Sequence, residues 1–341
     1  MSDILIPTEE ALAEAPPPTR GGGALRYVLT KIGGGLISFA LVVVLGFLLF
    51  RALPGDVVQT MTRGRPATPA MMAALEHKYG LDLPLWQQFL HYIGALLHGD
   101  MGESYFYNVP VWQKIGERLW PTLLLVGVST LISVALGLWL GTRAGWRRGS
   151  LFDRLSTGVA LTLWSTPTFW LGMLLLAATS GWFPTAGIVN SDTPPDFFSQ
   201  AVDVAHHMVL PTVTLVAVTY AQYQLVMRSS LIEEMGADYL TTARAKGLRE
   251  DLVRRRHAVP NALLPTVTLV FLHLGFVIAG AISVETVFSW PGLGLLTYDA
   301  LTKNDLPLLQ GTFIVLAGAV ILMNTLADLL YRVLDPRVRA A

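Results

Sequence analysis

Seven histidines, at positions 77, 91, 98, 206, 207, 257 and 273, are the side chains of this 341-residue sequence best suited to metal binding or proton transfer. Their spacing favours neither. No His-Glu-x-x-His pair occurs, and adjacent His206 and His207 diverge by about 100° on any helix that carries them. No Gly-x-Ser-x-Gly turn presents a serine nucleophile. None of the five lysines, at 31, 78, 114, 246 and 303, follows a phosphate-cradling glycine loop. Cysteine is absent, which removes disulfide scaffolds, thiolate metal sites and thiol nucleophiles together. The chain therefore reads as having no catalytic residue, no metal site and no nucleotide site of its own. Energy for any driven process must enter from another polypeptide or an ion gradient.

A weaker chemistry is written into the apolar runs. Thr219, Gln222, Gln224, His273 and Ser283 are polar groups in otherwise hydrophobic sequence, suited to helix–helix hydrogen bonds or to the wall of a polar path. Glu285 stands at the edge of one run, ahead of a Trp290-Pro291-Gly292 turn. That group fits an outer gate, a docking surface, or a turn that serves folding alone. Ion-driven carriers keep ionisable groups at bilayer depth. Here His273 is the interior candidate, with Glu285 and Asp328 at span edges, so ion coupling is disfavoured.

The runs themselves define the elements. Only 14% of residues are charged, against roughly 25% in an ordinary soluble domain, and 52% are hydrophobic. Residues 32–50, 119–142, 155–191, 204–227, 257–284 and 306–327 contain no Asp, Glu, Lys or Arg. Each exceeds the roughly 18 apolar residues that mark a transmembrane helix. The expected fold is an all-α polytopic membrane protein with six transmembrane helices, because in lipid only helices and closed barrels satisfy the backbone. The runs lack the alternation of barrel strands. Run 155–191 is too short for two spans, so one span with a long tail is expected, leaving at Pro184 and Gly187 into an outer loop that ends near Asp203. Residues 83–99 are also free of charge, but Trp86, Gln87, Gln88, His91 and His98 make them an amphipathic surface helix.

Lys plus Arg balance Asp plus Glu at 24 each, so no nucleic-acid partner is implied. Placement matters more than the sum. Basic residues gather on one side: Arg20, Arg26 and Lys31; the arginines at 143, 147, 148 and 154; seven from Arg228 to Arg256; and Arg332, Arg337 and Arg339. The short outer loops at 192–203 and 285–305 hold only Lys303. Both termini are thus expected in the cytoplasm. The expected organisation is a disordered cytoplasmic tail over 1–24, a first transmembrane helix over 25–50 and an extracytoplasmic segment over 51–118 with short helices near 69–79 and 84–98. A five-helix core follows over 119–331, with a cytoplasmic loop at 228–261 and a cytoplasmic tail at 332–341. Leu210–Val216 and Leu264–Val270 both read LPTVTLV, and Pro121-Thr122-Leu123 opens the second span similarly. These prolines are expected in first helical turns, where the missing N–H costs nothing. Gly137 and Gly141 form a Gly-x3-Gly pair that would let another helix approach.

The cytoplasmic loop is the most informative stretch. In Asp238-Tyr239-Leu240-Thr241-Thr242-Ala243-Arg244-Ala245-Lys246-Gly247-Leu248, Leu240, Ala243 and Gly247 recur at helical spacing, and Gly247 can stop the helix at positive φ. An amphipathic helix lying on lipid phosphate would read the same way. Thr241-Thr242-Ala243, three residues, Gly247, nine residues, then His257-Ala258-Val259-Pro260 resembles the EAA loop of ABC importer permeases. The stretch Tyr239–Leu248, Gly99-Asp100-Met101-Gly102, Phe288-Ser289-Trp290-Pro291-Gly292-Leu293-Gly294 and Asp335-Pro336-Arg337 resemble the dipeptide and oligopeptide branch, in shared order from residue 25 onward. Thr241-Thr242 replace the Glu-Ala that names the loop, and Pro260 stands where a basic residue is commoner before Asn261.

The resemblance implies a type I ABC importer permease fold in a bacterial-type cytoplasmic (inner) membrane, and the first of two related permease subunits. It implies as partners a second homologous permease subunit, two cytoplasmic ABC ATPase subunits that hold ATP-Mg, an extracytoplasmic substrate-binding protein and membrane lipid. This chain would hold no cofactor. The implied ATPase-coupling loop comprises Asp238, Tyr239, Leu240, Thr242, Ala243, Arg244, Ala245, Lys246, Gly247, Leu248, His257 and Asn261. Residues 238–248 would form a coupling helix in an ATPase groove, with Leu240 and Leu248 as apolar anchors. The expected cargo is a di- or oligopeptide. A nickel complex, glutathione or a sugar oligomer is the alternative within this class, and a secondary carrier or membrane enzyme outside it.

Overall fold

A computed structural model describes residues 22–52, 68–78 and 82–334. Residues 1–21 and 335–341 of the two expected tails lie outside that description, whereas 22–24 and 332–334 are helical. Among the described residues regular structure is helical, apart from one antiparallel bridge between Glu103 and Pro110.

The first helix, α1, runs Gly22–Ala52, and the outer segment carries α2 (Pro69–Lys78) and α3 (Leu85–Leu97), close to the expected short helices. Then comes α4 (Val111–Trp146), which opens ahead of its charge-free run because Lys114, Glu117 and Arg118 extend it beyond the apolar part. Its 36 residues span about 54 Å, more than a hydrocarbon core of about 30 Å needs. Helices α5 (Leu151–Trp164) and α6 (Thr168–Ala178) follow, then α7 (Phe197–Glu234). The inner loop forms α8 (Asp238–Ala245) and α9 (Glu250–Val253), then a π-helical turn at Arg254–Ala258. Last are α10 (Val259–Val287), α11 (Leu293–Thr302) and α12 (Leu306–Leu334).

Among the described residues, four helices are long and apolar enough to cross a membrane: Leu25–Arg51, Val111–Trp146, Phe197–Glu234 and Leu306–Leu329. The α5–α6 pair makes a fifth if it is one span. That pair falls on the one span with a long tail expected over the 155–191 run, and the chain bends by 102° between Trp164 and Thr168. Pro167 cannot donate to the helical ladder and disfavours helical backbone at Thr166 before it.

The LPTVTLV prolines also sit differently from expectation. Pro211 and Pro265, and Pro121 of the related stretch, lie inside α7, α10 and α4, beyond their opening turns. Membrane helices tolerate this where neighbours satisfy the freed carbonyls. The expected glycine approach is present and longer than the pair. A Cβ on Gly137 would lie 2.7 Å from the carbonyl oxygen of Tyr220, and one on Gly141 2.6 Å from that of Gln224; Gly145 faces Arg228. Contacts that advance together along both chains make α4 and α7 parallel neighbours, with backbones close enough that only glycine fits.

Candidate coupling surface and translocation path

The inner loop is built on the end of α7. Met227 and Leu231 leave an apolar surface, which Leu240, Ala243, Val253, Ala258 and Ala262 cover. This burial sets the roll of α8 about its own axis. Leu240 is fully buried, and Leu248 packs against the same cluster. Leu240 is therefore not an anchor free to enter a partner's groove, which corrects the role expected for it, while Leu248 is half-buried. The outward face is instead polar and small: Asp238, Thr241, Thr242, Ala245 and Lys246 are exposed.

Two devices fix this helix. At its end Gly247 has φ +79°, its N–H donates to Arg244 O at 2.9 Å, and the Leu248 N–H donates to Ala243 O at 3.3 Å. These are the paired bonds of a Schellman stop, with Leu248 folded back onto the apolar cluster. At its start the Tyr239 hydroxyl donates to Glu234 Oε1, accepts from Asn261 Nδ2 at 2.8 Å and lies 3.3 Å from the His257 carbonyl oxygen. One phenol thereby joins α7, α8 and α10. Partial burial, then the Glu234 carboxylate, raise its pKa above the ordinary tyrosine value, so it remains a donor at neutral pH. Arg244 pairs with Glu250 at 2.9 Å. Of the expected loop residues, Leu240 and Ala243 face inward, His257 and Leu248 are half-buried, and the rest remain accessible.

Two of the expected path residues are engaged inside the α4–α7 seam. Thr219 makes a 2.7 Å hydrogen bond with Ser133 Oγ across the α4–α7 seam and donates to Leu215 O. Gln224 is fully buried in that seam, where its amide makes no hydrogen bond. Gln222 is half-buried and Ser283 exposed, while the side chain of His273 lies outside what is described.

The outer group is a buried latch. Glu285 is fully buried and accepts from Thr122 Oγ1 (2.7 Å), Gly294 N (2.7 Å) and Leu295 N (3.1 Å). Thr122 Oγ1 in turn accepts from Leu293 N at 2.7 Å, and Trp290 Nε1 donates to Pro121 O at 3.0 Å. A Cβ on Gly292 would fall 2.3 Å from the Glu285 carboxylate. Of the readings left open for Glu285, Trp290, Pro291 and Gly292, the burial matches the folding turn and leaves Glu285 and Trp290 no exposed docking face.

Sequence reasoning missed two further clusters. Asp305 is fully buried and accepts from Ser104 Oγ (2.5 Å), Phe106 N (3.0 Å) and Tyr105 N (3.1 Å), pinning the outer segment to the start of α12. An Asp immediately before Leu306-Pro307 is a readable helix-start signal. Asp153 holds Arg228 through two bonds of 2.5 and 2.9 Å, tying α5 to α7. Nothing in the sequence marks that pair.

The sequence matches known families and relatives along most of its length. A family described as "Binding-protein-dependent transport system inner membrane component" matches residues 133–340, and the corresponding N-terminal family matches 24–126. The dipeptide transport system permease protein DppB of Escherichia coli K12 is 39% identical over 335 residues, covering 92% of this chain and 99% of the relative. The di/tripeptide transport system permease protein DppB of Pseudomonas aeruginosa UCBPP-PA14 is 36% identical, with the same coverage. The glutathione transport system permease protein GsiC of Salmonella typhimurium LT2 is 37% identical over 318 residues, again 92% and 99% of the two chains.

Proposed function

Because the chain belongs to the family of binding-protein-dependent transport system inner membrane components, we propose that it is the transmembrane permease subunit of an ATP-driven importer that carries di- or oligopeptides across the cytoplasmic membrane. The names of its dipeptide and di/tripeptide relatives support the cargo class. ATPase and binding-protein partners come with that family in general. In this reading the partners are a second, homologous permease, two ATPase subunits that bind ATP-Mg, and a binding protein at the outer face. The α5–α6 pair counts as one span and the 29-residue α10 as another, giving six, with both termini in the cytoplasm. The type I permease arrangement is part of the same proposal.

The observation that carries the coupling mechanism is the attachment of α8. Its exposed face would seat in an ATPase groove, and closure of the ATPase pair would move the helix. Tyr239 and the Leu240 cluster would pass that displacement to α7 and α10 as a unit. The partner must bind the two states with different affinity, otherwise ATP shifts nothing. Cargo would pass between the two permeases, guided by weakly polar walls and selected by the binding protein.

Glutathione is the second cargo reading, favoured by the 37% identical relatives that bear its name. Uptake of labelled dipeptide and of labelled glutathione, in cells relying on this chain and its copurifying partners, separates the two. Dipeptide uptake that depends on ATP supports the proposal. Uptake of neither, with no ATPase retained on affinity purification, sinks it.

A further inference from the structure

At the inner ends of the helices, the end of α4 and the π-helical turn before α10 flank a half-open cavity of about 580 Å³. Four arginines line it: Arg143 from the last turn of α4, Arg147 just past its end, and Arg254 and Arg255 from the turn. Their only carboxylate partner among the described ion pairs is Asp251, 2.7 Å from Arg254 and 3.2 Å from Arg255, so positive charge is in excess. The guanidinium groups stand against aromatic rings. Arg143 lies 5.1 Å from the centre of Phe152 and 6.0 Å from Trp139, and Arg254 lies 6.0 Å from Trp146.

The depth of the cavity identifies its ligand. The charge-free run of α4 ends at residue 142, so Arg143 and Arg147 stand where hydrocarbon gives way to headgroups. One turn deeper, Leu138 and Trp139 line the same cavity, and Leu263 of α10 faces them. Basic above and apolar below is the profile of a phospholipid, with phosphate held by guanidinium forks and acyl chain against leucine. A soluble anion has no use for the apolar floor.

We propose that this cavity is a binding site for an anionic phospholipid headgroup, with Arg143 and Arg147 as the principal phosphate ligands. The site rests on the reading that this end of the helices meets the cytoplasmic leaflet. It flanks the turn that follows the coupling loop, so an occupied site would hold that turn against α4.

The test is native mass spectrometry of the intact, delipidated importer with its copurified partners, titrated with phosphatidylglycerol or with phosphatidylcholine of the same chains. The expected result is retained phosphatidylglycerol adducts that weaken about thirty-fold in the Arg143→Gln/Arg147→Gln protein, at about five-fold per basic residue near the membrane surface. Arg148→Gln/Arg154→Gln removes equal charge at the same end without touching the cavity, and should leave the adducts intact. Arg143 and Arg147 are both exposed, and Arg147→Gln alone, at about five-fold, serves should the double variant fail to assemble. Any of these results overturns the proposal: equal retention of both lipids, equal weakening by the two double variants, or displacement of the lipid by millimolar inorganic phosphate. Adducts on the isolated chain that vanish in the assembled importer also overturn it, because a partner subunit then fills the cavity. Lipid binding is read without transport, so it can fail while the importer reading stands, and the reverse.

Discussion

Leu240→Ala should act through folding of the inner loop and not through lost contact with a partner. Leu240 is fully buried, packed with Met227, Leu231 and Val253. Truncation of such a leucine costs about 3 kcal/mol, within the range seen for buried Leu→Ala changes. That corresponds to a roughly hundredfold rise in the population of loop detached from α7, if α8 opens as a local unit. Thr242→Ala, on the exposed face of the same helix, should change stability by no more than about 0.5 kcal/mol. The assay is limited proteolysis of the detergent-solubilised chain at Arg244 and Lys246, run beside retention of ATPase on the affinity column. Leu240→Ala should be cut much faster and retain less ATPase. Thr242→Trp, which adds bulk to the outer face without a new basic cleavage site, should lose ATPase at wild-type cleavage rate. Loss of ATPase in Leu240→Ala with unchanged proteolysis would refute the inward assignment and restore Leu240 as a partner contact.

The outer latch gives a cycle. Glu285→Ala leaves two backbone N–H groups and the Thr122 hydroxyl without their acceptor, at about 1–3 kcal/mol each, and Gly292→Ala overpacks by about 1–3 kcal/mol. Thermal unfolding of the double variant should fall short of the sum, because removing the carboxylate frees the space for the methyl; strict additivity would count against the latch. Arg228→Ala should destabilise by about 3–5 kcal/mol by leaving the buried Asp153 unpaired, and Asp153→Ala/Arg228→Ala should recover part of that loss in the same measurement. Gly247→Asp strains the φ +79° stop of α8 and adds charge at its exposed end, so uptake should be lost while membrane insertion persists; normal uptake would contradict the coupling role.

The long apolar runs were legible because hydrocarbon leaves a helix few choices, and Gly247 was legible because a helix stop at positive φ selects glycine. The inward roll of α8 was half legible. Leu240, Ala243 and Gly247 share a spacing, but only the bare surface of Met227 and Leu231 decides that this face turns toward the chain itself. Glu285 reads as a surface or gate residue because its acceptor duty is met by backbone N–H groups nine and ten residues ahead, which no side-chain pattern announces. The Asp153–Arg228 pair, 75 residues apart, depends on α5 returning beside α7 and has no local signature.

The coupling claim is open to direct measurement, since the chain has no native cysteine. Single cysteines placed by Thr242→Cys and by Leu240→Cys in the affinity-tagged importer can be treated with a short bis-maleimide and the products identified by mass spectrometry. The account predicts a crosslink from position 242 to a cysteine-bearing ATPase subunit, sensitive to ATP, and none from 240. A crosslink from 240, or an ATPase that joins at neither position but elsewhere on the chain, would contradict the placement of the coupling surface on the outer face of α8.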